Sequence, residues 1–332
     1  KTKPKGAYFK MVDEHIFLFG MMASAINFGP DGSLYVANWD GKWQPNELGS
    51  IWVVDDPAIR KSEQRKQVAK LLRSDFGNHT NSFLVYLLAH ADQRIRLEAQ
   101  FELARRDRFD EFLGLATNPN GDRLARVHAM WGLGQLDADQ QRDKRLAKRL
   151  PFADNDAEIR AQAAKLAGTR VLTSAAPRLM DLLHDKSARV RFHAAMALGQ
   201  AGSPESTSNL IALLERNNDK DAYIRHAAIM GLTGSAEPEQ LIALNSHGSA
   251  AVRVAGTPPG FAHIAHDGAA EHLAAEAQRF ADQPFVHESL GLGEHVVPAV
   301  HVADLVDQPR RVEPGGEPRA VGGGQHEGVF DE

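Results

Sequence analysis

Between residues 95 and 253 one short pattern recurs: an apolar residue, an Arg, an Ala three positions after the Arg, and usually a Leu four beyond that. An internal repeat of this kind constrains a fold more than any local motif, because each copy must adopt the same supersecondary unit. The copies are Ile95-Arg96 with Ala99 and Leu103, Ala125-Arg126 with Ala129 and Leu133, and Ile159-Arg160 with Ala163 and Ala167. Val190-Arg191 with Ala194 and Leu198, then Ile224-Arg225 with Ala228 and Leu232, continue the series, and Val252-Arg253 opens a sixth copy. Successive arginines lie 30, 34, 31, 34 and 28 residues apart, room for two short helices and two turns.

Spacings of three and four place the apolar residue, the Ala and the Leu on one helical face, and the small Ala lets a neighbouring helix come close. Acidic residues upstream of each Arg supply N-caps for this second helix: Asp92, Asp122, Asp154 to Asp156, Asp185, and Asp219 with Asp221. The first helices read as residues 83–88, 109–115, 176–183 and 210–214. Such a helix pair cannot bury its apolar face alone, so neighbouring pairs must stack. The expected fold is mainly α, an α-solenoid over residues 68–255 with five repeats and a partial sixth.

Val190-Arg191-Phe192-His193-Ala194-Ala195-Met196-Ala197-Leu198-Gly199 resembles the second helix of HEAT repeats. The resemblance implies that Arg96, Arg126, Arg160, Arg191, Arg225 and Arg253 form an internal ladder to acidic or carbonyl groups of adjacent repeats. His128 and His193 each lie two residues after a ladder Arg, and His226 lies one after. Their recurrence marks a shared face open to an anion or a partner, although the repeat alone also accounts for it.

The first 56 residues differ in character. Apolar alternation around Pro30-Asp31-Gly32 gives candidate strands at residues 34–38 and 50–54. Two or three strands are marginal alone, so a larger sheet with strands preceding Lys1 is expected. The run from His15 to Ile26 is 12 residues, too short to cross a bilayer as a helix, and is expected to be buried strand. Asp31, Asn38 and Asp40 fit turn chemistry better than a metal site, and Trp39, Trp43 and Trp52 are expected to pack. The charged stretch 57–67 reads as a linker.

Phe28 to Trp39 resembles a blade motif of six-bladed β-propellers of the sorbosone dehydrogenase type, and Gly49 to Val54 resembles the strand that follows. Together with residues 71–76 and 87–105 they resemble a planctomycete and verrucomicrobial family of membrane-bound dehydrogenases. That resemblance implies that residues 1–56 are the last blade of a propeller, and that a cytochrome c domain follows the HEAT repeats. It also implies a periplasmic or extracytoplasmic parent protein using haem c or pyrroloquinoline quinone. The chain lacks Cys altogether, so it has no Cys-x-x-Cys-His motif, thiolate zinc site or disulfide.

Residues 1–255 carry 34 basic and 30 acidic side chains, and residues 256–332 carry 4 and 13. Neither part has the basic stripe with interleaved aromatics of a nucleic-acid domain. The repeat breaks inside a helix at Gly256-Thr257-Pro258-Pro259, and the 77 residues from there contain no Lys, Asn, Tyr, Trp or Met. An acidic, low-order tail is one expectation and a shifted reading frame another. The tail histidines, His263, His266, His272, His287, His295, His301 and His326, show no recognisable pair of ligand spacings. With no catalytic motif in the chain, no catalytic, cofactor or metal residue is expected. The expected function is a scaffold that presents a surface to a protein partner or to neighbouring domains; the alternative is one part of a propeller dehydrogenase.

Overall fold

The computed structural model describes residues 1–39 and 49–256, and the backbone of 306–312. A hairpin of β1 (Thr2–Lys5) and β2 (Tyr8–Met11) comes first, followed by β3 (Ala23–Phe28), β4 (Leu34–Trp39), β5 (Gly49–Val54) and α1 (Glu63–Arg73). Then come α2 (Asn81–Leu87), α3 (Gln93–Arg105), α4 (Phe109–Ala116), α5 (Arg123–Gln135), α6 (Gln140–Arg149) and α7 (Ala157–Thr169). The helices continue with α8 (Ala176–Leu182), α9 (Ala188–Ala201), α10 (Thr207–Asn217), α11 (Ala222–Ser235), α12 (Pro238–Ala243) and α13 (Ala250–Arg253), and β6 (Val306–Val312) comes last. The chain is thus mainly helical, HEAT-like, with short antiparallel sheets. It forms two compact units, one joining the hairpin to the helices from Asp75 onward, the other joining residues 15–74 to β6.

In the helical unit, α2/α3, α4/α5, α6/α7, α8/α9, α10/α11 and α12/α13 are the successive pairs. The predicted small face is the inter-repeat contact: Ala99, Ala129, Ala163, Ala194 and Ala228 have almost no solvent exposure. Where α9 meets α11, a Cβ on Gly234 would overlap the backbone of Gly199, so two main chains touch where other residues would hold them apart. Asp92, Asp122, Asp156 and Asp221 cap their helices through bonds to backbone N–H groups two or three residues on. Asp185 does not cap α9; the cap position is Ser187, whose N–H donates to Asp185.

Helix α6 has no counterpart among the expected first helices. Its sequence is nearly all charged or amide, and only Leu146 and Ala147 are buried. Asp139 caps it, and its packing residues continue beyond it in Leu150 and Phe152.

In the second unit the sheet order is β3-β4-β5-β6, antiparallel throughout. Val36 and Val54 are its buried centre. Asp31 spends its carboxylate on the N–H and hydroxyl of Ser33 and on the Tyr35 hydroxyl, which is turn chemistry. Asn38 accepts from the Met22 N–H and donates to Ser50, whose hydroxyl also receives the Trp52 indole N–H. Asp40 and Trp43 lie outside the described residues, and Trp39 is part-exposed.

Three expectations need correction. The run from His15 is not buried strand: no strand lies between Met11 and Ala23, Ile16, Phe17 and Phe19 are 84%, 67% and 79% exposed, and the part of the run that is strand, from Ala23 to Ile26, is exposed as well. An apolar run reports what a segment would gain by burial, and among the described residues nothing covers Ile16, Phe17 or Phe19. The stretch 57–67 is a linker only as far as Ser62, because Ser62 caps α1 and the helix begins at Glu63. Within the tail, residues 306–312 pair with β5, with Pro309 at the register irregularity opposite Ile51 and Val53, where a missing N–H is tolerated. The seven tail histidines and the frame break after Gly256 fall outside the described residues.

Candidate interaction face of the repeats

Each ladder arginine reaches back over the loop that precedes its own helix. Arg96 donates to the carbonyls of His90 and Ala91, Arg160 to those of Asp154 and Asn155, Arg191 to those of Asp185 and Lys186, and Arg253 to those of His247 and Gly248. Arg126 donates to the Ala116 carbonyl, and Arg225 to Asp219. Except for the Arg225 bond, which goes to the Asp219 carboxylate, these bonds satisfy carbonyls that helix ends and loops leave without partners.

A second set of bonds reaches the next repeat. Arg126 meets Asp154 at 2.5 Å, and Arg160 grips both oxygens of Asp185 at 2.7 and 2.9 Å; all four side chains are buried. Burial pushes the Asp154 and Asp185 carboxyls up, but the hydrogen bonds from Arg126 and Arg160, together with backbone N–H donors, outweigh it and hold both below the ordinary range. Arg96 instead donates its Nε to Nε2 of His128 at 3.0 Å. That assigns the proton to Nδ1, which donates to Gln100 at 2.8 Å. Burial first, and the Arg96 charge second, push His128 down to about 4.

Of the three histidines singled out by their positions, His128 is 2% exposed and therefore belongs to the interior and not to a face. His193 and His226 are half-buried. His193 is pushed down to about 4 by burial and then by Arg189 and Lys165, against the pull of Glu158, and its Nε2 is buried with no hydrogen-bond partner. Around it runs a bonded chain: Trp131 donates to Gln162, Gln162 to Glu158, and Arg189 clasps Glu158 at 2.7 and 3.0 Å.

The hairpin β1–β2 meets this edge of the second helices. The Ala7 N–H donates to Asp221 at 2.8 Å, Tyr8 stacks on Tyr223 with ring centres 4.6 Å apart, and Arg189 lies over the Phe9 ring at 5.5 Å. Gly6, at φ +60°, makes the two-residue turn with Ala7, and a side chain there would overlap the Asp221 carboxylate. Sequence reasoning missed this element, although Gly-Ala between Lys5 and Tyr8 is a hairpin signal.

On the first-helix side a further series escaped notice. Arg142 pairs with Asp107 and Arg145 with Asp110, both beside the Phe109 ring, while Arg170 joins Asp143 to the Leu136 carbonyl. Among the described residues no group of three or more His, Cys, Asp or Glu could hold a metal, and no helix is long and apolar enough to cross a membrane.

Residues 144–233 match the family model of HEAT repeats. Among solved structures, the complex of CpcE and CpcF of phycocyanin lyase from Nostoc sp. PCC7120 is similar at 18% identity, over 55% of this chain and 77% of that chain, with a TM-score of 0.37. No curated protein matches the chain.

Proposed function

We propose that the HEAT repeats form a protein-interaction module whose second-helix edge, from Glu158 to Tyr223, receives an extended polypeptide segment. One observation carries this reading: the edge already holds such a segment, the chain's own hairpin, by a main-chain bond to Asp221, an aromatic stack on Tyr223 and a cation over an aromatic ring at Arg189. This combination suits protein recognition, because a backbone bond tolerates many sequences while the aromatic contacts select among them. The natural occupant is a protein partner or a neighbouring domain of the same polypeptide. The resemblance to dehydrogenases supplies only a setting, an extracytoplasmic one, for this scaffold.

The test uses the full chain with Tyr8→Ala and Phe9→Ala, which frees the edge. A fluorescent peptide of sequence Lys1–Glu14 should bind this variant and be excluded from the unaltered chain. Equal binding to both, or binding to neither, would overturn the reading.

A further inference from the structure

Among the described residues the carboxylate ladder between repeats ends at Arg160: Arg191 and Arg225 bond only within their own repeats, and Arg191 is the first member left so. Arg126 and Arg160, the preceding members, each meet a carboxylate of the following repeat. Arg191 occupies the same helical position but uses only Nη1, on two carbonyls of its own loop, and among the described residues no carboxylate pairs with it. The loop that should supply one turns through two successive left-handed residues, Asn218 and Asp219, and Asp219 ends on Arg225 of its own repeat.

A cleft of about 440 Å³ opens where the carboxylate is missing, lined by Leu183, Asp185, Arg191, Arg216, Lys220 and Asp221 among others. Its cations are unmatched. Arg216 makes one bond, to the Leu183 carbonyl at 3.3 Å, and Lys220 has no carboxylate partner among the described residues. Its two carboxylates are already spent, Asp185 on Arg160 and the Ser187 N–H, and Asp221 on the N–H groups of Tyr223, Ile224 and Ala7.

We infer that this cleft is a carboxylate-binding site, in which an Asp or Glu side chain of a partner protein completes the ladder at Arg191 and is held also by Arg216 and Lys220. Arg191 offers Nε and Nη2, the same fork edge through which Arg160 grips Asp185. Two unspent cations beside it raise the local potential toward an acidic segment. The cations Arg191, Arg216 and Lys220 lie outside the hairpin, and the variants that test them differ from Tyr8→Ala and Phe9→Ala.

Anisotropy of a fluorescein-labelled hexaglutamate peptide, measured on the full chain at low salt, tests the assignment. Arg191→Gln and the double variant Arg216→Gln/Lys220→Gln should each weaken binding at least tenfold, while Arg145→Gln, on the first-helix side, should leave it unchanged. The double variant removes exposed side chains and keeps the test sound if Arg191→Gln unfolds the repeat. No binding, equal weakening by Arg145→Gln, or displacement of the peptide by less inorganic phosphate than free glutamate at matched ionic strength would each overturn the proposal.

Discussion

Arg160 and Arg191 stand at the same position of adjacent repeats and have opposite fates. Arg160 is buried and closed on a carboxylate from the next repeat, whereas Arg191 is half-buried and faces a cleft. The repeats are nevertheless stacked on both sides of α9. Both seams have a close glycine approach, Gly168 to Ala197 between α7 and α9 and Gly234 to Gly199 between α9 and α11, and the buried ion pair of Arg160 with Asp185 is added only on the first side. A repeat array can therefore stack without a carboxylate on every ladder arginine, because the close helix approach is made by small residues on both sides of α9.

The sharpest way to break this contrast is to replace both arginines. Arg160→Leu strands Asp185 in the interior and should cost about 3–5 kcal/mol, whereas Arg191→Leu should cost only about 1–2 kcal/mol for two lost carbonyl bonds. Urea unfolding of each variant measures the difference; an unchanged midpoint for Arg191→Leu would show that its loop bonds contribute nothing.

Acid should sharpen the contrast at the other end of the ladder, where His128 replaces a carboxylate. Its folded value of about 4 lies below the ordinary 6.5, so between those values the unfolded chain takes up a proton that the folded chain refuses. Stability is therefore full above pH 6.5 and falls by on the order of 3 kcal/mol toward pH 4. His193 adds a loss of the same sign. Glu102 acts in a lower window: hydrogen bonds from Arg105, against burial, and from Arg106 hold it at about 2, and its contribution fades only below about 4.5. Comparing unfolding midpoints at pH 7.5 and 4.5 in the unaltered chain and in His128→Gln should show a smaller pH effect in the variant.

The smallest effect is expected at the hairpin. Gly6→Ala forces a side chain against Asp221 at a left-handed position, so the Ala7 amide should exchange hydrogen roughly tenfold faster or more, while the helical unfolding midpoint stays within about 0.5 kcal/mol. An unchanged exchange rate would mean that the Ala7 bond does not hold the hairpin.

The second helices were legible because Ala and Leu at fixed spacing state the packing face directly, and Asp caps mark their starts. The charged helix α6 was not, since two buried residues leave almost no period to read. Asp185 was misassigned as a cap because sequence order cannot show that a side chain 25 residues away at Arg160 claims it. His128 looked like a surface position for a similar reason: the repeat shows which residues recur, but its burial follows from Arg96 and Gln100 one repeat earlier. The hairpin contact with Asp221 spans 214 residues and leaves no local trace.

Arg65 settles a practical question about where the molecule can be divided. It sits on α1 yet donates to the Asp31 carbonyl at 2.9 and 2.6 Å and to the Asp55 carboxylate at 2.5 Å, binding the helix to the turn and exit of the sheet. Residues up to Ser74 accordingly belong with the strands, and the helical unit takes up the chain again at Asp75. A protein cut at residue 67 would carry a split helix into the repeat fragment and expose Val68. One cut after Ser74 would leave whole elements on both sides but part β6 from β5, and the repeat piece would still need residues 1–14 added back to fill its own edge.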